Sequence, residues 1–216
     1  MKKGHIHANK LSHFDKVHCC RTIAGLPIGM VGAISNKLSL LSYLAAAKKT
    51  PTHFYNKVMQ YLLERIGEAS ASMNVPKHKI RIVLEAREQQ YSSLLHFIKR
   101  IQDTPLDTRA ATIRNIDRFS ITTVKKKDDM CMALSDFGAH ALFCAVRRDK
   151  RSHGLSETRY LRELAPVFLA DATGRIFPKG IKPIHSLSDL ALADDTLDTF
   201  RNLTNLNKDY HVMKRD

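Results

Sequence analysis

The sequence predicts an α/β fold with a mixed sheet, and three observations lead to this prediction. Short β-branched segments alternate along the chain with longer segments of helical periodicity, an order that favours a partly parallel sheet covered by helices. The chain has 216 residues, which is enough for one well-buried domain. Apolar residues make up 44% and charged residues 26% of the chain, which is the ordinary balance of a globular protein.

The first third of the chain predicts a weak helix, a strand and a strong helix. Residues 5–21 have helical spacing but are crowded with His and Lys. Residues 27–35 are small and β-branched, which is typical of a buried strand. The strong helix starts at Pro51, after Thr50 as its N-cap, and the Asn-Val-Pro sequence at 74–76 ends it. Its apolar stripe consists of Phe54, Val58, Tyr61, Leu62 and Ile66.

The middle of the chain continues the alternation. Residues 79–85 predict a strand, residues 88–102 return to the helical period, and residues 113–124 predict a further strand. The next helix is predicted to start at the two acids at 128–129, because carboxylates suit the positive end of a helix dipole. This helix is expected to continue to Val146.

The C-terminal part predicts smaller elements. Residues 157–170 have the pattern of an amphipathic helix with a kink at Pro166, and residues 174–184 are punctuated by Gly and Pro like a hairpin. The last thirty residues are polar and are expected to be peripheral. We therefore expect one domain over residues 1–150 and a short helical and hairpin extension over residues 151–216.

The charge balance points to a polyanionic partner. Thirty-five Lys and Arg against twenty-one Asp and Glu give a net charge of +14. Phosphate contacts supply most non-specific affinity for nucleic acid, so nucleic acid is the simplest partner of such a chain. The alternative is a basic surface that is only solvated.

Cysteine usage and hydropathy exclude several other classes. The cysteines show no CxxC spacing of a zinc site, and reduced thiols in a cytoplasmic setting fit this usage. Cys131 and Cys144 lie in an apolar helical pattern and are expected to be buried. The start of the chain has no apolar segment of a signal peptide, and no window is long enough for a membrane span.

Two carboxylates carry the chemistry that the sequence suggests. Glu85 stands at the end of a predicted strand, and Asp136 lies within the otherwise apolar stretch 132–139. An acid at a strand end and an acid on a buried helix face can jointly hold a divalent cation, because hard cations prefer oxygen ligands. Asp129 is seven residues before Asp136, which is two helical turns, so it could join them.

Several stretches resemble one family of bacterial and phage proteins. They are residues 6–11, 36–37, 55–64, 81–85 and 133–139. Together they resemble the "domain of unknown function 3800" family, over roughly residues 3 to 148. The resemblance implies an RNase H-like, three-layer α/β domain with a mixed sheet. It also implies a nuclease that uses Mg²⁺ or Mn²⁺ to activate water and to stabilise charge on the phosphate.

The resemblance further assigns roles to single residues, and one family element is missing. It implies that His7 transfers a proton, that Lys37 contacts the scissile phosphate, and that Glu85 and Asp136 hold the metal, which Asp129 could join because of its spacing. The family opens with an Asp-Glu-Ser-Gly strand, which this chain lacks. In an RNase H-like site that first acid bridges both cations. The predicted domain is therefore incomplete at its N-terminus.

Two functions follow, of which the first is the leading hypothesis and the second, favoured by the missing first acid, is its alternative. The first is a metal-dependent nuclease-like protein. The second is a catalytically incomplete, basic module that binds nucleic acid or assembles with proteins. Glu85 could equally be a surface acid paired with Arg87 or Lys79, and Asp136 could be part of a structural salt bridge.

The remaining predictions concern surfaces. Two basic clusters flank the helix that carries Asp136, as a groove that follows a phosphate backbone would require, although solvated charge is the usual meaning of such clusters. They consist of Lys125, Lys126, Lys127, Arg147, Arg148 and Arg151.

The apolar residues 27–35 suit an interior strand. Without a first strand, that sheet edge would be exposed, and a second copy or another partner chain is expected to cover it.

Overall fold

The computed structural model describes residues 7–36, 45, 51–86, 91–148, 153–184 and 186–205. The chain forms two compact units. The first unit consists of Met1–Ile34, Lys126–Lys182 and Ala191–Asp216, and the second of Ser35–Lys125 and Pro183–Leu190. The units interleave along the sequence, and the first contains residues on both sides of position 150, where the sequence predicts a domain boundary.

The described residues form a mixed α/β fold that is mostly helical, which confirms the predicted class at this coarse level. The helices are α1 (His13–Ala24), α2 (Pro51–Ser72), α3 (Tyr91–Asp103), α4 (Thr108–Ala111), α5 (Met132–Val146), α6 (Arg159–Leu164) and α7 (Asp194–Asn202). The strands are β1 (Gly32–Ile34), β2 (Ile82–Glu85), β3 (Ile121–Val124) and β4 (Ile181–Pro183). No helix of the described residues has the length and apolar character that crossing a membrane would need.

The second unit is built on a pair of parallel strands. β2 and β3 pair in parallel, with Ile82 opposite Ile121 and Glu85 opposite Val124. Side chains of α2 and α3 pack into the same core. The core side of α2 is formed by Leu63, Tyr55, Met59 and Ile66, so the stripe predicted for this helix is wrong except for Ile66. The side chains of this core include Leu63, Ile82, Leu94, Ile98, Ile113, Ile116 and Ile121. The predicted helix at Pro51 is confirmed, while its cap residue Thr50 lies outside the described residues. The strand predicted over residues 79–85 is confirmed only over Ile82–Glu85, because Lys77–Lys79 form a 3₁₀ turn.

A tight turn between α4 and β3 packs against α2 and forms hydrogen bonds with its backbone. The 3₁₀ turn Thr112–Asn115 packs directly on α2. The hydroxyl of Thr112 donates to the carbonyl of Glu64 at 3.0 Å, and the side-chain amide of Asn115 donates to the carbonyl of Gly67 at 3.2 Å. A Cβ on Gly67 would lie only 2.3 Å from the Thr112 carbonyl oxygen. Glycine therefore allows the two backbones to approach this closely.

The strand predicted over residues 113–124 is wrong for its first two thirds. Only Ile121–Val124 are extended, and two 3₁₀ turns precede them. Asp117 explains the second turn, Arg118–Ser120, because its carboxylate accepts a hydrogen bond from the Phe119 N–H at 3.0 Å and so caps it. The strand predicted over residues 27–35 is likewise shorter than expected, since only Gly32–Ile34 are extended.

The first unit packs three helices around a pair of short strands. α6 contacts both α1 and α5, and β1 pairs with β4. Its fully buried side chains include Leu161, Leu164, Val167, Phe168, Ile176, Ile181 and Phe200. The helix predicted over residues 157–170 ends at Leu164 and continues as the 3₁₀ turn Ala165–Val167, next to the predicted kink at Pro166.

The C-terminal segment is not peripheral, and this part of the sequence prediction is wrong. Phe200 on α7 is fully buried, and the buried side-chain amide of Asn205 donates to the Phe168 carbonyl at 2.7 Å. Residues 174–184 do not form a hairpin either, because β4 pairs with β1 and Arg175 bridges to Thr204. A few apolar anchors in a polar sequence are sufficient to attach the segment to the core.

Candidate functional site

The structure brings three of the predicted site residues together in the first unit. Asp136 on α5 accepts a hydrogen bond from the Lys126 ammonium, at 2.8 Å to Oδ1. Nδ1 of His7 lies 3.8 Å from Asp136 Oδ2 and 3.3 Å from Lys126 Nζ. The backbone N–H of Ala8 donates to Asp136 Oδ2 at 3.2 Å. We call these four residues the Asp136 cluster.

The Asp136 cluster joins an N-terminal turn to α5 and to the turn that precedes α5. Ala8–Lys10 form a 3₁₀ turn against α5, with Ala8 almost fully buried. Lys126 opens the 3₁₀ turn Lys126–Asp128, a few residues before α5 begins. Asp136 faces both turns, and the side chains of Asp136 and Lys126 are only 27% and 19% exposed. The carboxylate therefore attaches the N-terminal turn and the turn before α5 to the same helix.

The electrostatics of the cluster keep Asp136 ionised. Burial of the carboxylate would raise its pKa, but the hydrogen bonds from Lys126 and from the Ala8 N–H outweigh burial, and the net result is a pKa below the ordinary value. An ionised, hydrogen-bonded carboxylate beside a lysine is a structural ion pair. This is the alternative that the sequence left open for Asp136.

The donor groups around Asp136 do not fit a resident divalent cation. Both carboxylate oxygens accept hydrogen bonds within the protein, one of them from an ammonium group. In the part of the chain that the structure describes, no cluster of three or more His, Cys, Asp and Glu side chains could hold a metal ion. Binding of Mg²⁺ or Mn²⁺ at Asp136 would require Lys126 to leave the carboxylate, so the metal stays a prediction.

Asp129 does not share a helix face with Asp136, and that argument from spacing is wrong. α5 begins at Met132, after Asp129. The Asp129 carboxylate instead accepts a hydrogen bond from the Cys131 N–H at 2.8 Å, which makes a local turn. Cys131 is exposed rather than buried, because it lies at the N-terminal end of α5 and not on its apolar face.

Glu85 lies where the sequence predicts it, at the carboxyl end of β2. Its register partner in β3 is Val124, so Lys125 follows at the same edge of the parallel pair. Both Glu85 and Lys125 are exposed. Glu85 belongs to the second unit and Asp136 to the first. That these two carboxylates bind the same cation stays a prediction.

The predicted basic clusters are partly neutralised by acids of the same chain. Lys126 pairs with Asp136, and Arg148 pairs with Asp195. Arg147 lies over the ring of Phe143, with 5.1 Å from the guanidinium to the ring centroid. Two other members, Lys125 and Lys127, are exposed. The predicted site residues Lys37 and Arg151 lie outside the described residues.

The sequence did not predict a second basic surface, at the amino edge of the β2–β3 pair. The amino ends of parallel strands meet at one edge of a sheet, and here Ile82 is opposite Ile121. The residues that closely precede β2 and β3 at this edge are Lys77, Lys79, Arg81, Arg118 and Phe119; Arg118 is half-buried and the other four are exposed. We call these five residues the amino-edge patch.

An aromatic ring distinguishes the amino-edge patch from an ordinary charged surface. The Phe119 ring is 76% exposed. The Arg118 guanidinium lies 4.6 Å from the centroid of its ring, within the range of a cation–π contact. The sequence signal was the basic run at 77–81 together with Arg118-Phe119. It was missed because Phe119 lies within residues 113–124, which were predicted to form a strand.

The comparisons with known proteins identify neither a family nor a function for the chain. The chain matches no family model, no curated protein and no solved structure. The resemblance to the family described above therefore stays a prediction, and the function has to be argued from the surfaces of the chain itself.

The ion pair of Asp136 predicts a pH-dependent contribution to stability. Because the folded-state pKa of Asp136 is lowered, its stabilisation is complete above the ordinary value of 3.8 and is lost as the pH falls through the folded-state pKa. We expect Asp136→Asn to lower the free energy of unfolding by about 1 kcal/mol at pH 7. Urea denaturation at pH 7 and at pH 3 measures this difference, which should shrink at the lower pH.

A nearby acid provides the control for this variant. Asp128 is exposed in the turn that precedes α5, and Asp128→Asn should leave the free energy of unfolding within about 0.5 kcal/mol of the wild type. Equal stability of Asp136→Asn and the wild type at pH 7 would show that the ion pair does not stabilise the fold.

Proposed function

We propose that the protein is a basic module that binds single-stranded nucleic acid through the amino-edge patch. The observation that carries this proposal is the exposed ring of Phe119, held beneath Arg118 at the same strand edge as Lys77, Lys79 and Arg81. Exposed aromatic rings among cations are the surface on which unpaired bases stack, because every base has a π face.

Two physical effects support this proposal. Stacking of one base on an aromatic side chain contributes about 1–3 kcal/mol, whereas a paired base in a duplex keeps its face covered by its neighbours. The basic residues that precede β2 would contact phosphates and release counterions from the strand. The net charge of +14 favours the encounter from a distance.

A metal-dependent nuclease with an RNase H-like fold is the second candidate, and one observation favours it. Glu85 stands exposed at the carboxyl end of a parallel strand with Lys125 next to it, as a ligand for a divalent cation near a phosphate would. The Asp136 cluster does not add to this candidate, because its carboxylate is already paired. Degradation of labelled RNA or DNA that depends on Mg²⁺ or Mn²⁺ and is lost in Glu85→Gln would support it.

The experiment for the leading proposal compares two variants, each of which lacks three basic side chains. Fluorescence anisotropy with a short labelled single strand, as RNA and as DNA, measures affinity at low salt. The first variant replaces Lys77, Lys79 and Arg81 with Gln. The second replaces Lys125, Lys127 and Arg147 with Gln, which removes the same charge while leaving Lys126 with Asp136.

The two variants separate the amino-edge patch from the clusters that flank α5. We expect the first variant to bind the single strand much more weakly than the second. Only the first variant loses three side chains that we propose contact phosphates. A larger loss in the second variant would move the interface to the ends of α5. Absence of binding by the wild type at low salt would exclude nucleic acid as the partner.

A further inference from the structure

One face of α5 is exposed to solvent and carries no charge. The exposed residues of the helix are Ser135, Ala139 and Phe143, and Cys131, which directly precedes the helix, is exposed as well. Because these four residues follow one another at spacings of four, they lie along one side of the helix. They extend over about 18 Å, and we call them the α5 ridge.

The absence of charge distinguishes the α5 ridge from the exposed faces of α3 and α7. On those helices charged side chains occupy most of the exposed positions, as expected of a helix face in water. They are Lys99, Arg100 and Asp103 on α3 and Asp194, Asp195, Asp198 and Arg201 on α7. The one charged residue of α5, Asp136, is instead hydrogen-bonded to Lys126 and to the Ala8 N–H. The α5 ridge therefore has the composition of a covered helix face.

Two large apolar side chains are exposed towards the C-terminal end of α5. The Phe143 side chain is 50% exposed, and that of Leu155 is 63% exposed. The N–H of Glu157 donates to the carbonyl of Cys144 at 3.0 Å, which places the segment after Leu155 against this end of the helix. Neighbouring exposed apolar side chains are typical of surfaces that bind another macromolecule.

The side chains of the α5 ridge fit another helix. Ser135 and Ala139 are small, so a second helix axis can approach to within about 8–10 Å. Phe143 adds an aromatic anchor of the kind that is enriched in the buried cores of interfaces. A helix packed along the ridge would cover both the small residues and the ring.

The charge around the ridge selects an acidic helix over a second copy of this chain. Arg147 continues the ridge at the same spacing of four and is exposed, with its guanidinium 5.1 Å from the centroid of the Phe143 ring. Each copy of the chain carries a net charge of +14, so pairing two copies would bring like charges together. Carboxylates of a partner would instead lie near Arg147.

We propose that the α5 ridge binds an acidic amphipathic helix of another protein. The apolar stripe of that helix packs on Ala139 and Phe143, and its carboxylates lie near Arg147. The ridge belongs to the first unit and the amino-edge patch to the second. This inference therefore does not rest on the binding of nucleic acid.

Fluorescence anisotropy of a labelled synthetic peptide, titrated with the full chain at physiological salt, tests the proposal. The peptide has about 18 residues, or five helical turns, with leucines on one face and glutamates at the other positions. A second peptide of the same composition has its leucines scrambled over all faces. We expect the amphipathic peptide to bind at least about tenfold more tightly than the scrambled one, because both carry the same charge and only the first has a continuous apolar stripe.

Two variants and one chemical probe locate the binding surface. Ala139→Arg and Phe143→Ala should each weaken binding of the amphipathic peptide by about tenfold or more. The control Leu106→Ala removes a side chain that is 84% exposed in the second unit and should change this affinity by less than about twofold. The reaction of Cys131 with N-ethylmaleimide, followed by mass spectrometry, should slow when the peptide is bound.

The outcomes keep this proposal separate from nucleic-acid binding. Phe119→Ala should bind the peptide as the wild type does, so the loss of one activity leaves the other measurable. No binding of the amphipathic peptide, equal binding of the scrambled peptide, unchanged affinity in either ridge variant, an equal loss in Leu106→Ala, or unslowed modification of Cys131 would each overturn the proposal. A wild-type dimer that Ala139→Arg converts to a monomer would also overturn it, as would binding of phosphatidylglycerol vesicles in place of the peptide.

Discussion

Replacing Phe119 with alanine is expected to weaken binding of single-stranded oligonucleotides by roughly one to two powers of ten. The ring is 76% exposed and carries Arg118 over its face, so its loss removes a stacking platform without opening a cavity. The stability of the fold should therefore remain within about 0.5 kcal/mol of the wild type. Anisotropy titrations with single strands and with a duplex of the same sequence measure the effect, which should be much smaller for the duplex.

The chain offers a matched control for this variant. Phe143 is 50% exposed, and Arg147 lies 5.1 Å from the centroid of its ring, so Phe143→Ala removes a similar pair from the first unit. We expect it to change single-strand affinity by less than about threefold. If the Phe143 variant lost affinity and the Phe119 variant retained it, the interface would lie at the C-terminal end of α5 instead.

Gly67→Ala is expected to destabilise the protein, against the usual effect of this substitution. Alanine in a helix interior normally stabilises by up to about 1 kcal/mol relative to glycine. Here the added Cβ would lie 2.3 Å from the carbonyl oxygen of Thr112, which is backbone held by hydrogen bonds to α2. Separating α2 from that turn should lower the free energy of unfolding by about 1–3 kcal/mol. Urea denaturation of the variant and the wild type measures this difference in the free energy of unfolding.

Gly138 provides the comparison, because it is also a helical glycine with a close neighbour. A Cβ there would lie 2.7 Å from the sulfur of Met30, which belongs to a flexible side chain that can move aside. Gly138→Ala should therefore cost less than Gly67→Ala. A Gly67→Ala protein that is more stable than the wild type would show that α2 and the Thr112 turn are not in close backbone contact.

The sequence correctly predicted those helices and strands whose formation depends mainly on local residue preferences. The helix at Pro51 combined a helix-compatible proline with a regular apolar stripe, and the strand ending at Glu85 combined β-branched residues with a polar end. Both elements lie where they were predicted, but the buried side of α2 is not the predicted stripe, because Asn56, Gln60 and Glu64 are buried and the stripe residues Phe54, Val58 and Tyr61 are half-buried. The position of Glu85 at the end of a parallel strand followed from the same reasoning.

The errors lie where side chains form contacts that a pattern does not reveal. A carboxylate cap at Asp117 stabilises a 3₁₀ turn just before β3, where a strand was predicted. The helix α5 begins later than predicted, so Asp129 does not share a face with Asp136. The partner of Asp136 proved to be Lys126, which the sequence had assigned to phosphate binding. Such pairings depend on tertiary structure, because the two residues lie on different elements.

The salt dependence of binding by the wild-type chain tests the central claim most directly. A protein that contacts phosphates with several cations releases condensed counterions, so the logarithm of its association constant falls linearly with the logarithm of salt concentration. For a labelled single strand, we predict tight binding at low salt and a slope of about −2 or steeper, given the cations of the amino-edge patch. Affinity that is absent at low salt, or that does not change as salt rises, would contradict this account.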